Sequence, residues 1–172
     1  MNSDDIDSAV LDISKQLIKS IPDFSNVCFI GIRTRGIVVA KRILSELSKN
    51  DITNIPLGTL DITLYRDDLR TKHTWPAVEK TDIGFDVNNK DIIIVDDVMY
   101  TGRTARAAIE AVMDYGRPSS IKLIILVDRG SRELPIQPDF TGSQFDISQG
   151  NRVNVYLDDV DGREGVEVQS TK

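Results

Sequence analysis

The sequence predicts an α/β fold in which a mainly parallel sheet is flanked by helices, and three observations lead to this prediction. Apolar runs at residues 27–32, 92–95 and 121–127 are short, rich in isoleucine and valine, and bounded by turn residues. Such runs are typical of strands that are buried on both faces. Segments with helical periodicity lie between them, and strands that alternate with helices along a chain favour a parallel sheet.

Three helices are predicted from apolar residues that recur at helical spacing. The first spans residues 3–20, with Ser3 as its N-cap and Pro22 beyond its end. The second helix follows a turn at residues 33–36, and the third runs from about residue 104 to residue 115. Each of these helices has one apolar face that can pack against the sheet.

The remaining segments predict one more strand, a hairpin and a flap. Apolar and polar residues alternate at 57–64, which indicates a strand. Residues 153–157 and 165–168 are predicted to pair as a hairpin across a turn at 161–162. Residues 65–90 are polar and show no sustained period. A segment of this length in a compact domain is either a functional flap or disordered.

Composition excludes several classes of protein. The chain has 172 residues and a formal charge of −6, which predicts one domain over residues 1–172 and does not favour nucleic-acid binding. Cys28 is the only cysteine and His73 the only histidine, so the sequence contains no internal disulfide, no cysteine-based zinc site and no paired-histidine metal motif. No apolar run reaches membrane-spanning length, and we expect a cytoplasmic protein without a membrane partner.

Residues 92–104 carry the most chemical information in the sequence. Four β-branched residues lead directly to two adjacent carboxylates, Asp96 and Asp97, at the end of a strand where ligands bind in open α/β folds. Paired carboxylates at this place accept hydrogen bonds from vicinal hydroxyl groups, directly or through Mg²⁺. The structural alternative is that the two aspartates only end the strand and cap the next helix.

The segment 100–104 follows at once, with a glycine and two threonines before a predicted helix. Backbone N–H groups at the start of a helix, together with the positive end of the helix dipole, form a phosphate site. Carboxylates suited to a diol beside a turn suited to phosphate predict a site for a sugar phosphate.

Two common nucleotide signatures are absent. Residues 31–36 have the two glycines of a P-loop, but Ile37 stands where the motif requires lysine. No G-x-G-x-x-G sequence follows any predicted strand. The sequence therefore excludes a Walker-type ATPase and argues against a dinucleotide enzyme.

Four segments of the sequence resemble those of a known family. Residues 92–104 are similar to the phosphoribosyl pyrophosphate motif of type I phosphoribosyltransferases. Residues 31–36, 60–69 and 127–136 resemble segments of the PyrR family, which comprises pyrimidine operon attenuators that are also uracil phosphoribosyltransferases. The resemblance covers essentially the whole chain, with the four motifs in the same order.

The resemblance implies a fold, an activity and partners. The implied fold is that of type I phosphoribosyltransferases, with a flexible flap at about residues 65–90 and a small hood formed by the C-terminal segment. The implied enzyme makes UMP and pyrophosphate from uracil and phosphoribosyl pyrophosphate, with Mg²⁺ bound mainly through the substrate and in part by Asp96. The resemblance also implies a homo-oligomer that binds UMP or UTP and the leader RNA of a pyrimidine operon.

The resemblance further implies roles for individual residues. Asp96 and Asp97 would act as catalytic residues that hold the ribose hydroxyls, and Arg66 on the flap would shield the transition state from water. Arg129 would contact the substrate, with an ion pair near Asp128 as the alternative. A cis non-proline peptide is expected within residues 32–35. The residues implied in substrate binding are Thr34 and Arg35 at the pyrophosphate, Asp96, Asp97, Val98, Met99, Tyr100, Thr101, Gly102, Arg103 and Thr104 at the ribose 5-phosphate, and Arg129 and Val160.

The sequence differs in charge from members of the family that bind RNA. The first helix and its end carry few basic residues and many acidic ones: Lys15 and Lys19 against Asp4, Asp5, Asp7, Asp12 and Asp23. Because cations attract the phosphates of RNA, we expect weaker binding to leader RNA than in a basic member. Three hypotheses stay open: a uracil enzyme, an RNA-binding attenuator with a sensory nucleotide site, and a phosphoribosyltransferase for another base.

Overall fold

The structure is a computed structural model that describes residues 1–67, 80–147 and 150–170. Its main sheet contains five strands, β1 (Val27–Ile32), β2 (Leu57–Leu60), β3 (Asp91–Met99), β4 (Ser120–Asp128) and β5 (Phe140–Gln144). Their spatial order is β2-β1-β3-β4-β5, and every neighbouring pair is parallel. The α/β fold with a mainly parallel sheet that the sequence predicts is therefore confirmed.

Three longer helices and a small C-terminal unit complete the fold. The helices are α1 (Ser3–Ser20), α2 (Arg35–Ser48) and α3 (Arg103–Met113). The C-terminal unit, which we call the hood, consists of β6 (Asn151–Tyr156), the short helix α4 (Asp158–Asp161) and β7 (Gly165–Ser170). The strands β6 and β7 are antiparallel, as predicted, but α4 connects them in place of a two-residue turn.

The core consists of two apolar layers, one on each face of the sheet. Ile93 and Val95 of β3 pack in the layer that contains the buried residues of α1 and α2. Ile92 and Ile94 pack in the opposite layer with the buried alanines of α3. Because successive side chains of a strand point to opposite faces, an unbroken apolar run fits a strand that is covered on both sides.

Three boundaries differ from the sequence-based predictions. The strand predicted at 57–64 ends at Leu60, because the Asp61 carboxylate accepts hydrogen bonds from the backbone N–H (2.8 Å) and hydroxyl (2.6 Å) of Thr63 and turns the chain into a 3₁₀ helix. Asn2 caps α1 in place of Ser3, by accepting from the N–H of Asp5 at 2.9 Å. The strand β3 runs on through Met99, four residues beyond the apolar run at 92–95 that predicts it.

Part of the predicted flap, residues 68–79, lies outside the described residues. On its C-terminal side the chain returns to the sheet through two backbone hydrogen bonds between Thr59 and Asp82, of 2.8 and 2.9 Å. In the described part of the chain, no helix has the length and apolar character that crossing a membrane requires.

Candidate active site

The turns after β1 and β3 lie side by side at the carboxyl edge of the sheet. The two strands are paired in parallel, with Gly31 opposite Val95. Gly36, in the first turn of α2, packs directly on β3, since a Cβ atom at this position would lie 2.4 Å from the carbonyl oxygen of Val95. This close approach brings the start of α2 next to Asp96.

Asp96 and Asp97 lie at this edge, within β3. The Asp96 side chain is buried, and its Oδ1 accepts a hydrogen bond from the backbone N–H of Asp97 at 3.0 Å. Burial raises the pKa of Asp96 well above its usual value, and the adjacent charge of Asp97 raises it further. Burial also raises the pKa of Asp97, although hydrogen bonding to Asp96 and the charge of Arg35 act in the opposite direction. Asp96 therefore has fewer partners that stabilise its charge than Asp97 has.

The β3–α3 turn follows the two aspartates and encloses a small cavity. Gly102 has a φ of +90°, which favours glycine, and it precedes a helix that has no side-chain N-cap. The cavity has a volume of about 150 Å³ and is lined by Ile32, Asp96, Val98, Met99, Tyr100, Thr101, Gly102, Arg103, Thr104, Ala105, Leu123 and Ile125. The structure thus brings the predicted carboxylate Asp96 and the predicted phosphate turn into one cavity.

The β1–α2 turn presents a second helix start without a side-chain cap. Thr34 is the N-cap residue of α2, but its side chain makes no capping hydrogen bond. The peptide bond between Arg33 and Thr34 is cis, which confirms the expectation for residues 32–35. The Nε of Arg33 donates to the carbonyl oxygen of Lys80 at 3.1 Å, so the turn contacts the C-terminal side of the flap.

Arg35 binds a carboxylate of the hood. Its Nε donates to Oδ2 of Asp161 at 2.9 Å, and its Nη2 donates to Oδ1 at 2.6 Å. The hydrogen bonds raise the pKa of Arg35 and lower that of Asp161. The predicted anion-binding arginine therefore already has one oriented carboxylate partner, which sequence reasoning did not identify.

Arg129 is buried, with 5% of its surface exposed, and its guanidinium lies 3.7 Å from the centre of the Tyr100 ring. Its Nε and Nη2 have no hydrogen-bond partner among the described residues. The alternative of an ion pair near Asp128 is wrong, because Asp128 instead binds Arg132 at 2.6 Å. Buried N–H groups of this kind are expected to bind an acceptor, and this arginine stacks on a residue of the β3–α3 turn.

The remaining predicted residues lie around the same edge. Arg103 is half exposed and pairs with Asp67 at 2.5 Å and Glu133 at 2.8 Å. Val160 is exposed on α4, whereas the Met99 side chain is buried in the core. Arg66 is exposed, two residues before the undescribed part of the flap.

The carboxylates of this edge suit a cation that is held mainly by a substrate. Within the described ranges, no group of three or more histidine, cysteine, aspartate or glutamate residues could hold a metal ion alone. Asp96 and Asp97 offer carboxylate oxygens, and Mg²⁺ is commonly bound by one or two carboxylates together with substrate phosphates. The donor set therefore fits Mg²⁺ that arrives with a phosphorylated substrate.

Comparison with known families defines the class of protein first. The chain belongs to the family described as phosphoribosyl transferase domain, whose model matches residues 2–159. Solved structures agree with the expected fold: the hypoxanthine phosphoribosyltransferase of Trypanosoma cruzi superposes with a TM-score of 0.72 at 15% identity, over 100% of this chain and 95% of that one. The hypoxanthine phosphoribosyltransferase of Staphylococcus aureus superposes with a TM-score of 0.69 at 18% identity, over 98% of this chain and 89% of that one. The type I phosphoribosyltransferase fold is confirmed.

Within this class, the chain is a member of the PyrR family. It is 44% identical to the bifunctional protein PyrR of Limosilactobacillus fermentum over 166 residues, which cover 95% of this chain and 93% of that protein. It is 47% identical to the bifunctional protein PyrR of Thermoanaerobacter pseudethanolicus over 161 residues, 94% of this chain and 90% of the relative. The family resemblance read from the sequence is confirmed.

Proposed function

We propose that this protein transfers the phosphoribosyl group of phosphoribosyl pyrophosphate to uracil, forming UMP and releasing pyrophosphate. The observation that carries the proposal is the arrangement of Asp96 and Asp97 beside the uncapped start of α3, in a chain that belongs to the PyrR family. The pair is suited to a sugar diol and the helix start to its phosphate.

On the ribose side, the Asp97 and Asp96 carboxylates accept hydrogen bonds from the two ring hydroxyls. The backbone N–H groups of residues 100–104 surround the 5′-phosphate, and the dipole of α3 favours its negative charge. Burial of Asp96 strengthens this recognition, because a carboxylate removed from water gains more from each hydroxyl that it binds.

On the pyrophosphate side, the start of α2 binds the leaving group. The exposed Thr34 supplies its hydroxyl and its backbone N–H, and Arg35 supplies those N–H groups of its guanidinium that Asp161 does not use. Asp96 would hold in part an Mg²⁺ ion that arrives with the substrate, and that ion would supply positive charge to the departing pyrophosphate.

The uracil ring lies between the β3–α3 turn and the hood. Arg129 donates its unpartnered N–H groups to substrate oxygens while it stays stacked on Tyr100. Val160 belongs to the part of the hood whose backbone groups contact the edge of the base, and Arg66, at the start of the flap, shields the transition state from water.

The reaction needs no covalent intermediate with the protein. A nitrogen of uracil attacks C1 of the ribose as the bond between C1 and the pyrophosphate oxygen breaks, and the proton of that nitrogen is released to solvent. The transition state resembles an oxocarbenium ion. The protein contributes positioning and charge stabilisation, which together account for most of catalysis in reactions of this kind.

The proposal is tested by product formation from three bases. The protein is incubated with phosphoribosyl pyrophosphate, Mg²⁺ and uracil, hypoxanthine or orotate, and the nucleotide formed is separated by chromatography. We expect UMP from uracil and no product from the other two bases. A nucleotide formed only from hypoxanthine or orotate would contradict uracil as the acceptor.

A second function is proposed from the relatives' name, since the matching proteins are described as bifunctional PyrR proteins. In this proposal the protein also binds the leader RNA of a pyrimidine operon, with UMP or UTP in the nucleotide site as the effector. The test is binding of leader RNA with and without UMP, and the charge distribution predicts a lower affinity than in a basic member of the family.

A further inference from the structure

We propose that Asp161 is a positioning residue that fixes the guanidinium of Arg35 so that its remaining N–H groups face the pyrophosphate of the substrate. This inference rests on the proposed function and deepens it. Asp161 belongs to the hood and Arg35 to the start of α2, so the same contact joins the two parts of the site that hold the base and the leaving group.

The geometry of the pair fixes one edge of the guanidinium and leaves another open. Two parallel hydrogen bonds, of 2.9 and 2.6 Å, occupy Nε and one hydrogen of Nη2. A guanidinium has five N–H donors in a rigid plane, so both hydrogens of Nη1 and the second of Nη2 stay available. The open edge can bind an anion in two places at once, which suits a pyrophosphate oxygen pair.

Asp161 is itself held in place. Its Oδ2 also accepts the backbone N–H of Leu157 at 2.9 Å, and Leu157 is fully buried. The side chain of Asp161 is only 14% exposed. The carboxylate is therefore part of the α4 framework, and a ligand that bound Arg35 by displacing it would leave an unpaired, largely buried charge.

A second ion pair fixes α4 to the same helix. Arg42, seven residues after Arg35 and thus on the same side of α2, binds Asp159 at 2.9 Å and also binds Glu164. This pair holds the hood against α2 without contacting the β1–α2 turn. Asp159 consequently serves as a control for Asp161: it lies on the same short helix and binds an arginine of the same helix, away from the turn.

The surrounding charges explain why a fixed orientation matters. Arg35 interacts with the charges of two carboxyl groups, since its pKa is raised by its hydrogen bonds to Asp161 and also by the charge of Asp97. Without Asp161, the guanidinium is expected to turn towards Asp97, which is the carboxylate assigned to the ribose. One substitution would then weaken both pyrophosphate and ribose recognition.

The experiment compares Asp161→Asn with Asp159→Asn in the full chain. Asparagine keeps the size of the side chain and its bond to the N–H of Leu157, but it removes the charge that holds Arg35. Calorimetry measures the dissociation constant of each protein for inorganic pyrophosphate in the presence of Mg²⁺. The KM values for phosphoribosyl pyrophosphate and uracil are measured from UMP formation. Thermal unfolding shows whether each variant is folded.

We expect the dissociation constant for pyrophosphate and the KM for phosphoribosyl pyrophosphate to rise at least about tenfold in Asp161→Asn, because misplacement of a positioned group has large effects. We expect changes below about twofold in Asp159→Asn, because an exposed ion pair contributes little. Asp161→Glu, which keeps the charge, should recover part of the affinity.

Three results would overturn the proposal: unchanged pyrophosphate affinity in Asp161→Asn, an equal loss in Asp159→Asn, or a glutamate variant that binds no better than the asparagine variant. Pyrophosphate binding requires neither turnover nor a base. If the wild-type protein formed no UMP, that result would contradict uracil as the acceptor, and the pyrophosphate comparison would still decide the role of Asp161.

Discussion

At the scale of single residues, Asp96 and Asp97, which we propose as ligands of the ribose, lower the stability of the ligand-free protein. Burial raises the pKa of both groups, and the charge of Asp97 raises that of Asp96 further, so the native state holds their protons more tightly than the unfolded chain does. The free energy of unfolding of the ligand-free protein therefore decreases as the pH rises through these raised values, and the penalty is absent below the usual carboxyl range. A ligand or cation that uses the charges offsets this penalty.

The first prediction concerns the double variant Asp96→Asn with Asp97→Asn. Removing both charges is expected to abolish phosphoribosyl transfer and to leave the unfolding free energy unchanged or higher by up to about 2 kcal/mol. Activity and urea unfolding of the two proteins are measured at neutral pH. Retained turnover would contradict the assignment of the site, and loss of the fold would show that the aspartates are structural.

The second prediction concerns Arg129→Met. Methionine keeps the apolar contact with Tyr100 and removes buried N–H groups that have no partner among the described residues, so stability should not fall. Loss of a charged hydrogen bond to substrate should lower kcat/KM about tenfold to hundredfold, or about 1.5–3 kcal/mol.

Arg163→Met is the matched control for this prediction. Arg163 also stacks on a tyrosine, at 3.5 Å from the centre of the Tyr156 ring, but it is half exposed and pairs with Glu167. Its substitution should leave kcat/KM within about twofold, as is usual for exposed ion pairs. Equal losses of activity in both variants would argue that stacking, rather than the buried N–H groups, accounts for the effect.

The sequence predicts site residues that lie in one continuous segment, but it does not predict contacts between residues that are distant in sequence. Asp96, Asp97 and the turn at 100–104 form one continuous segment, so the strand that precedes them indicates their place in the fold. Asp161 is separated from Arg35 by 126 residues, and nothing in either local sequence indicates that they bind. Their contact depends on how the hood packs against α2.

At the scale of elements, the sequence predicts the centre of the sheet better than its ends. The apolar pattern of β3 stops at Val95, yet the strand continues to Met99 because β4 pairs with it as far as Asp128. The sequence does not predict the edge strand β5, because the residues around Gly142 show no alternation of apolar and polar side chains. Packing explains its position, because a Cβ at Gly142 would lie 2.7 Å from the carbonyl oxygen of Leu126 and 3.0 Å from Ala9 of α1.

The third prediction concerns the contact between α2 and β3. In Gly36→Ala the new methyl group would lie 2.4 Å from the backbone oxygen of Val95, so the start of α2 must move away from Asp96. Overpacking of this kind costs about 1–3 kcal/mol. We expect that loss in urea unfolding, together with a higher KM for phosphoribosyl pyrophosphate.

Gly84→Ala is the control for the glycine substitution. A Cβ atom at Gly84 would meet no atom within 4 Å among the described residues. Its substitution should change the unfolding free energy by less than about 0.5 kcal/mol and leave KM unchanged. Wild-type stability and KM in Gly36→Ala would show that α2 does not need this close approach.

At the scale of the whole molecule, the charge distribution opposes RNA binding. The chain has a net charge of −6, and several basic residues that could bind RNA have carboxylate partners. Lys15 lies 3.3 Å from Asp12, and Lys122 lies 3.9 Å from Asp139. Arg42 and Arg132 are paired with Asp159, Glu164 and Asp128. Each of these pairs reduces the positive potential that RNA phosphates would meet.

The final prediction is that leader RNA binds this protein more weakly, and with a smaller dependence on salt, than it binds a basic member of the PyrR family. Each phosphate contact contributes about 0.7 to the slope of log K against log salt for single strands, so fewer available cations give a shallower slope. Repulsion from the acidic surface acts within a Debye length of about 8 Å at physiological ionic strength.

The measurement is filter binding of pyrimidine-operon leader RNA at several salt concentrations, with and without UMP, beside a basic relative as the control. Tight, UMP-dependent binding at physiological salt with a steep slope would contradict the prediction, because it would require these ion pairs to open and present their cations to the RNA.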